Sequence, residues 1–287
     1  MFVPLEGKAA DFKDHTLVIP SPESHGESPS LGVDLMIMNH GYAHVGYFDS
    51  EHMDPLVGND ILSHKEPTGE LVLHNCVYTN VEAKVALFAF RSSVPKGRLQ
   101  EFSDEIEKWF TEGGFKRIVI LTSTYNPVRK IRVSKFQIPK IFYFENPHFA
   151  ASASFSSFVE GHERFGHWIE EKKTEFDELK DMPSSGQGTS IFKKLANKEM
   201  EVIIFTLLSL EGVDVLGGLA YQKLLLKIGG QESSDEEMID TSGGKGTGSE
   251  EALDEYQIQL EGSETLRKLF SEELGLKVPF YWKDIYV

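Results

Sequence analysis

The chain has 287 residues, 40% of them hydrophobic, and a formal net charge of −16. That is enough apolar material for a sizeable core, and the average field repels a phosphate backbone, which argues against nucleic acid as a partner. One cysteine, Cys76, forbids an internal disulfide, and the most apolar run, "VIIFTLLSL" at 202–210, is too short to cross a bilayer.

The opening "MFVPLEGKAADF" has no basic stretch leading into an apolar one, so no secretory leader and no membrane partner are expected, and the compartment is read as cytoplasmic or nuclear. "HTLVIP" (15–20) reads as a short strand stopped by Pro20, followed by a loop at 21–30. Ser30 is placed to cap a helix "LGVDLMIMNH", which Gly41 ends. "AHVGYF" (43–48) reads as a strand, and a strand, helix and strand of this size imply a right-handed crossover and a parallel pair. Residues 69–92 read as two strands joined near Thr79 and Asn80, with Cys76 as a buried strand cysteine.

In "LQEFSDEIEKWF", Leu99, Phe102, Ile106, Trp109 and Phe110 recur at helical spacing, and Gly113-Gly114 stop the helix. "RIVILTS" (117–123) is the continuous apolar run of a central parallel strand. "KFQIPKIFYFEN" holds a further strand, and "GQGTSIFKKL" enters a helix capped by Thr189 or Ser190. "KEMEVIIFTLLSL" and "VLGGLAYQKLLLKI" read as two helices separated by "EGVD".

Composition then changes. Residues 232–255 carry nine acids and one lysine, a net of −8 (1 − 9). Dense like charge with little apolar surface cannot offset the entropy of ordering. Residues 231–257 are therefore expected to be an acidic disordered linker between a core domain at 1–230 and a C-terminal helix and docking tail at 258–287. The alternation of elements predicts an α/β fold, a mostly parallel sheet covered by helices.

Four places in the sequence carry residues that chemistry could use. The loop after the first strand sits where open α/β sheets bind ligands, and it carries Glu23, His25 and Glu27. His162 and His167 are five apart and face different directions on a helix, unlike the four-residue spacing of a metalloprotease pair. "GGKGTG" (243–248) has phosphate-loop glycine density without a strand before it or a helix after it. "GQGTS" (186–190) offers backbone N–H groups to an anion or is a simple turn. None forms a nucleophile–base pair, metal set or cofactor loop, so the reading favours a binding protein with no cofactor over an enzyme.

The end of the sequence, Ile285-Tyr286-Val287, offers three handles. A terminal carboxylate can pair with a lysine for about 1.5–3 kcal/mol. Tyr286 has a flat apolar body with one hydroxyl, and Ile285 can fill an apolar slot, either on a partner or on the chain's own domain.

Several stretches together resemble the proteasome assembly chaperone 2 family: "MFVP", "LGVDLMI", "VGYF", "DPLVGND" (54–60), "FKRIVILTST", "GQGTSIFKKL" and "EGVDVLGGLAYQKLL", from Met1 to about Leu226. The resemblance implies a non-catalytic chaperone with a three-layer α/β/α sandwich, phosphorylase-like but lacking that active site. It implies a heterodimer with proteasome assembly chaperone 1 that holds proteasome α-ring subunits while the ring forms and caps its outer face. It also implies that Ile285, Tyr286 and Val287, a hydrophobic-tyrosine-any-residue tail, dock in a pocket between α-subunits. The acidic segment 232–255 lies outside the resemblance. The alternatives are an enzyme acting on a small molecule through the 21–30 loop and a regulatory cap on mature proteasomes.

Overall fold

The computed structural model of the chain describes residues 1–8, 10–60, 62, 71–73, 75–95, 97–125, 139–165, 185–209, 214–231 and 276–277. Its first half contains β1 (Phe2–Pro4), β2 (Thr16–Pro20), a 3-10 turn (His25–Glu27), α1 (Ser28–Asn39), β3 (Ala43–Phe48), β4 (Val57–Asn59), β5 (Leu71–Leu73), β6 (Asn75–Asn80), β7 (Val85–Phe90) and α2 (Leu99–Gly113). The second half adds β8 (Arg117–Thr124), β9 (Ile141–Glu145), α3 (Pro147–Ala150), α4 (Phe155–Val159), β10 (Glu163–Arg164), α5 (Gly188–Leu195), β11 (Glu201–Leu208) and α6 (Val215–Ile228).

Nine strands form one sheet in the order β1-β3-β6-β7-β2-β8-β11-β9-β10. Its centre, β7-β2-β8-β11, is parallel throughout, and antiparallel strands flank it on both sides. β2, β7 and β8 are buried along their whole length. Helices cover both faces, so these strands carry unbroken apolar runs rather than an alternating pattern.

The pleat sorts each strand's side chains between two cores. Leu17, Ile19, Phe88, Phe90, Ile118 and Ile120 meet Phe102, Ile106 and Trp109 of α2 and Ile191, Phe192 and Leu195 of α5. Val18, Leu87, Val119, Leu121, Ile203 and Phe205 meet Val33, Met36 and Ile37 of α1 and Tyr221, Leu224 and Leu225 of α6. The result is the expected α/β/α layering.

α1 and α6 lie side by side with their backbones close. A Cβ built on Gly32 would sit 2.5 Å from that of Tyr221, and one on Gly218 would sit 2.8 Å from that of Leu31. The α1 stretch Leu31–Ile37 is buried without interruption, as a helix clamped between a sheet and a second helix must be.

Three expectations change. Residues 198–210 were expected to be helical, but Glu201–Leu208 form β11, held parallel to β8 and antiparallel to β9. Its β-branched residues Val202, Ile203, Ile204 and Thr206 suit the pleat. β2 and β3 run in the same direction but do not pair, because β6 and β7 lie between them. The helix caps also shift. α1 begins at Ser28 after Glu27, which has φ 51°, and α5 begins at Gly188 after Gln187. Gln187 uses its amide on the Val94 backbone, donating to the carbonyl at 2.8 Å and accepting from N–H at 2.9 Å.

Cys76 is buried on β6, and burial pushes its thiol up to about 11. Among the described residues no helix is long and apolar enough to cross a membrane. The expected linker, the "GGKGTG" stretch and the C-terminal helix lie outside the described residues.

Candidate functional site

The carboxyl ends of β2, β8 and β11 gather hydroxyls rather than a titratable cluster. Ser21 Oγ donates to Ser185 O at 2.9 Å and accepts from the Gly188 N–H at 2.7 Å. Thr122 Oγ1 donates to the same Ser185 carbonyl at 2.6 Å, and Ser185 Oγ lies 3.2 Å from Thr189 Oγ1. Ser123 Oγ donates to His25 O.

The "GQGTS" segment presses directly on the loop after β2. Gly186 has φ 62°, and a Cβ there would lie 2.1 Å from Pro22 O. The Gln187 N–H donates to Pro22 O at 3.3 Å. Two of the segment's N–H groups, those of Gln187 and Gly188, are thus spent inside the protein and are not offered to an anion. Asp214 closes the same end. Its backbone N–H donates to Gly26 O at 2.9 Å, and its carboxylate caps α6 by accepting from the Gly217 N–H at 2.8 Å.

The three candidate side chains of the 21–30 loop are not brought together. Glu23 and Glu27 are exposed, both on residues with left-handed backbone. His25 leans on the Tyr125 ring at 4.8 Å. Among the described residues neither carboxylate bonds His25. His162 packs on Phe205 at 5.6 Å, and burial followed by the nearby Lys227 holds its imidazole below the ordinary value. His167 lies outside the described residues. Among the described residues no three His, Cys, Asp or Glu side chains converge as a metal site would require.

The opposite, amino end of the sheet holds a different arrangement. α1 and α6 both end there, and the Asn80 amide donates to His40 O at 2.9 Å beside the last turn of α1. The chain returns to this place at Leu276 and Lys277. Asn39 Nδ2 donates to Lys277 O at 2.9 Å and the Lys277 N–H donates to Asn39 Oδ1 at 2.7 Å. Ile285, Tyr286 and Val287 lie outside the described residues.

Among the described residues, four of the exposed apolar side chains cluster where the sequence singles out no site. β4 and β5 form an antiparallel ribbon in which Val57 pairs with Leu73. Leu71, at 73% exposure, Val57, at 58%, Leu56 and Leu73 all face solvent. The alternation of Leu71 and Leu73 was the available signal. Clustered exposed apolar side chains of this kind mark surfaces that meet another protein.

The sequence matches the model of the PAC2 family over residues 19–209. It is 25% identical over 242 residues to proteasome assembly chaperone 2 of Homo sapiens, covering 79% of this chain and 87% of that one. It is 24% identical over 226 residues to the Mus musculus protein of that name, covering 75% and 81%. Two solved structures share the fold. One is PbaA of Pyrococcus furiosus, an archaeal homolog of proteasome-assembly chaperone, with TM-score 0.55, 10% identity and coverage of 96% and 93%. The other is PbaB of the same organism, an archaeal proteasome activator, with TM-score 0.53, 16% identity and coverage of 81% and 90%. The family match runs from the last two residues of β2 to just past β11, taking in β7, β8, β11 and the helices α1, α2 and α5 and stopping short of α6, and the chain belongs to the PAC2 family.

Proposed function

We propose that this chain is a proteasome assembly chaperone subunit. It pairs with a related subunit, proteasome assembly chaperone 1, in the cytoplasm or nucleus. The pair holds α-subunits as the ring forms and caps the ring's outer face without catalysing a reaction. The observation that carries this reading is the alignment with proteasome assembly chaperone 2 over three quarters or more of the chain. The hydroxyl cluster at the carboxyl ends of the strands supports it, because its bonds run to protein groups on neighbouring loops. The exposed ribbon side chains Val57, Leu71 and Leu73 support a protein partner and are assigned to the subunit pairing.

The contact with the ring is assigned to Ile285, Tyr286 and Val287. The carboxylate meets a lysine, Tyr286 lies flat against apolar surface, and Ile285 fills a slot. A single tripeptide must overcome lost rotational freedom and tail ordering, so alone it binds weakly. Joined to a body contact and the partner's own contacts it gains through effective concentration.

The test is recovery of α-ring intermediates from cells that co-express both subunits. The full chain is compared with one ending at Asp284 and one extended beyond Val287. Both altered chains are expected to fold with an unchanged melting temperature and to recover less ring. Undiminished recovery by both would rule out the tail. Recovery of complete proteasomes in place of assembly intermediates would assign the chain to a cap on mature particles.

A further inference from the structure

The Asn39 side chain is used almost completely. Nδ2 spends one hydrogen on Leu35 O at 2.9 Å, inside its own helix, and the other on Lys277 O at 2.9 Å, while Oδ1 accepts from the Lys277 N–H. Both backbone groups of one residue are thereby read by one amide, as a neighbouring strand would read them. Gln187 treats Val94 in the same way within the folded core. Because the Lys277 side chain takes no part, the contact selects a position along the chain through its backbone.

The anchor stands at the C-terminal end of α1, on the amino side of the parallel strands and across the sheet from the hydroxyl cluster. The described core ends at Gln231, just past the end of α6 on this same side. Counted along the chain, Val287 is 56 residues beyond Gln231 (287 − 231) but only 10 beyond Lys277 (287 − 277). Ten residues span at most about 36 Å. For a flexible tether, effective concentration falls roughly as the −3/2 power of length, so a tether of 10 residues in place of 56 would raise it roughly tenfold.

We infer that Asn39 is a positioning residue: by holding the backbone of Lys277 it fixes, at the sheet's amino end, the point within about 36 Å of which the last ten residues must lie. This deepens the tail reading above and rests on it for its consequence at the ring. The anchor itself stands independently, since it is a contact within the chain.

Trypsin cleaves after lysine, so the Lys277–Val278 bond reports the anchor without any partner present. Asn39→Leu keeps the size of the side chain and improves helix propensity at the end of α1, but it can neither donate to nor accept from Lys277. Asn39→Ala provides a second variant. Cleavage after Lys277 is expected to rise about tenfold in both full-length variants, the consequence of losing two hydrogen bonds, with melting temperatures close to that of the parent. Equal cleavage in parent and variants would overturn the anchor. Should one variant melt early, the other decides.

Ring recovery separates the two claims. If the anchor and the tail both hold, Asn39→Leu lowers recovery about tenfold and the chain ending at Asp284 lowers it at least as far. Faster cleavage with undiminished recovery in both chains keeps the anchor and removes the tail. Unchanged cleavage with recovery lost on truncation keeps the tail and removes the anchor.

Discussion

Asp34, at the centre of α1, forms an ion pair with Arg91 at the end of β7, and its carboxylate is wholly buried. Two charges taken out of water gain little net stability as a pair, but removing Arg91 takes a charged partner from a carboxylate that stays buried. Arg91→Ala is therefore expected to destabilise the fold, by at most about 3–5 kcal/mol, read from denaturant midpoints. Asp34→Leu combined with Arg91→Met should recover much of that loss, and a double-mutant cycle isolates the pair from the other contacts of either residue.

The α1–α6 contact is set by backbone proximity. Gly32→Ala places a methyl 2.5 Å from the Tyr221 Cβ, with both atoms fixed to helices. Tyr221 is itself fully buried, with its hydroxyl donating to Thr122 O and, at 3.2 Å, to Phe205 O, so the ring has no room to yield. Overpacking of this kind costs about 1–3 kcal/mol. Thermal melts of Gly32→Ala should show that loss, even though alanine is the better helix former.

Cys76 gives the fold an alkaline weakness. Its thiol is held up to about 11 by burial, against an ordinary value of 9.0. The folded-state value is raised, so the contribution is fully present below pH 9 and is lost as pH rises through 11. Between those limits the unfolded chain binds fewer protons and stability falls with pH. The parent should lose about 1 kcal/mol more than Cys76→Ala between pH 8 and pH 10, measured by urea titration at each pH. In the native protein at neutral pH the thiol should react slowly with alkylating reagents, since the thiolate is the reactive form.

Three histidines give an acid weakness of the opposite sign. Burial lowers the folded-state values of His40, His44 and His162 below 6.5. A depressed value means stability that is present above pH 6.5 and lost as pH falls through the folded-state values, because the unfolded chain then binds more protons. Melting temperature should decline from pH 7 toward pH 5. His162→Phe keeps a ring on Phe205 and should flatten part of that decline.

The fold was legible where burial leaves a local mark. β2, β7 and β8 announce themselves as unbroken apolar runs, and α2 as a helical stripe ending at Gly113 and Gly114, because each pattern follows from which faces are covered. β11 was not legible in the same way. Its continuous apolar run satisfies a buried helix and a buried strand alike, and only β8 and β9 on either side settle it. The separation of β2 from β3 depends on where the β6–β7 hairpin inserts, which no local pattern states. The Asn39–Lys277 contact joins residues 238 positions apart, and nothing in "LMIMNHG" asks for it. The exposed ribbon had a signal in Leu71 and Leu73, but alternation does not say whether the apolar side faces a core or a partner.

That last ambiguity yields a test of the pairing surface. Leu71 and Val57 are more than half exposed, so the isolated fold gains little from them, and surface substitutions of this kind stay within about 0.5 kcal/mol. Val57→Ser with Leu71→Ser should leave the melting temperature of the chain close to that of the parent. In a complex, the same side chains would lie in the desolvated centre of an interface, where truncation of a few residues removes most of the binding. Co-expression with the related subunit followed by size-exclusion chromatography should then show the doubly substituted chain eluting as a monomer, while the parent elutes with its partner. Intact pairing by a folded double variant would move the interface elsewhere on the chain and leave the ribbon without that role.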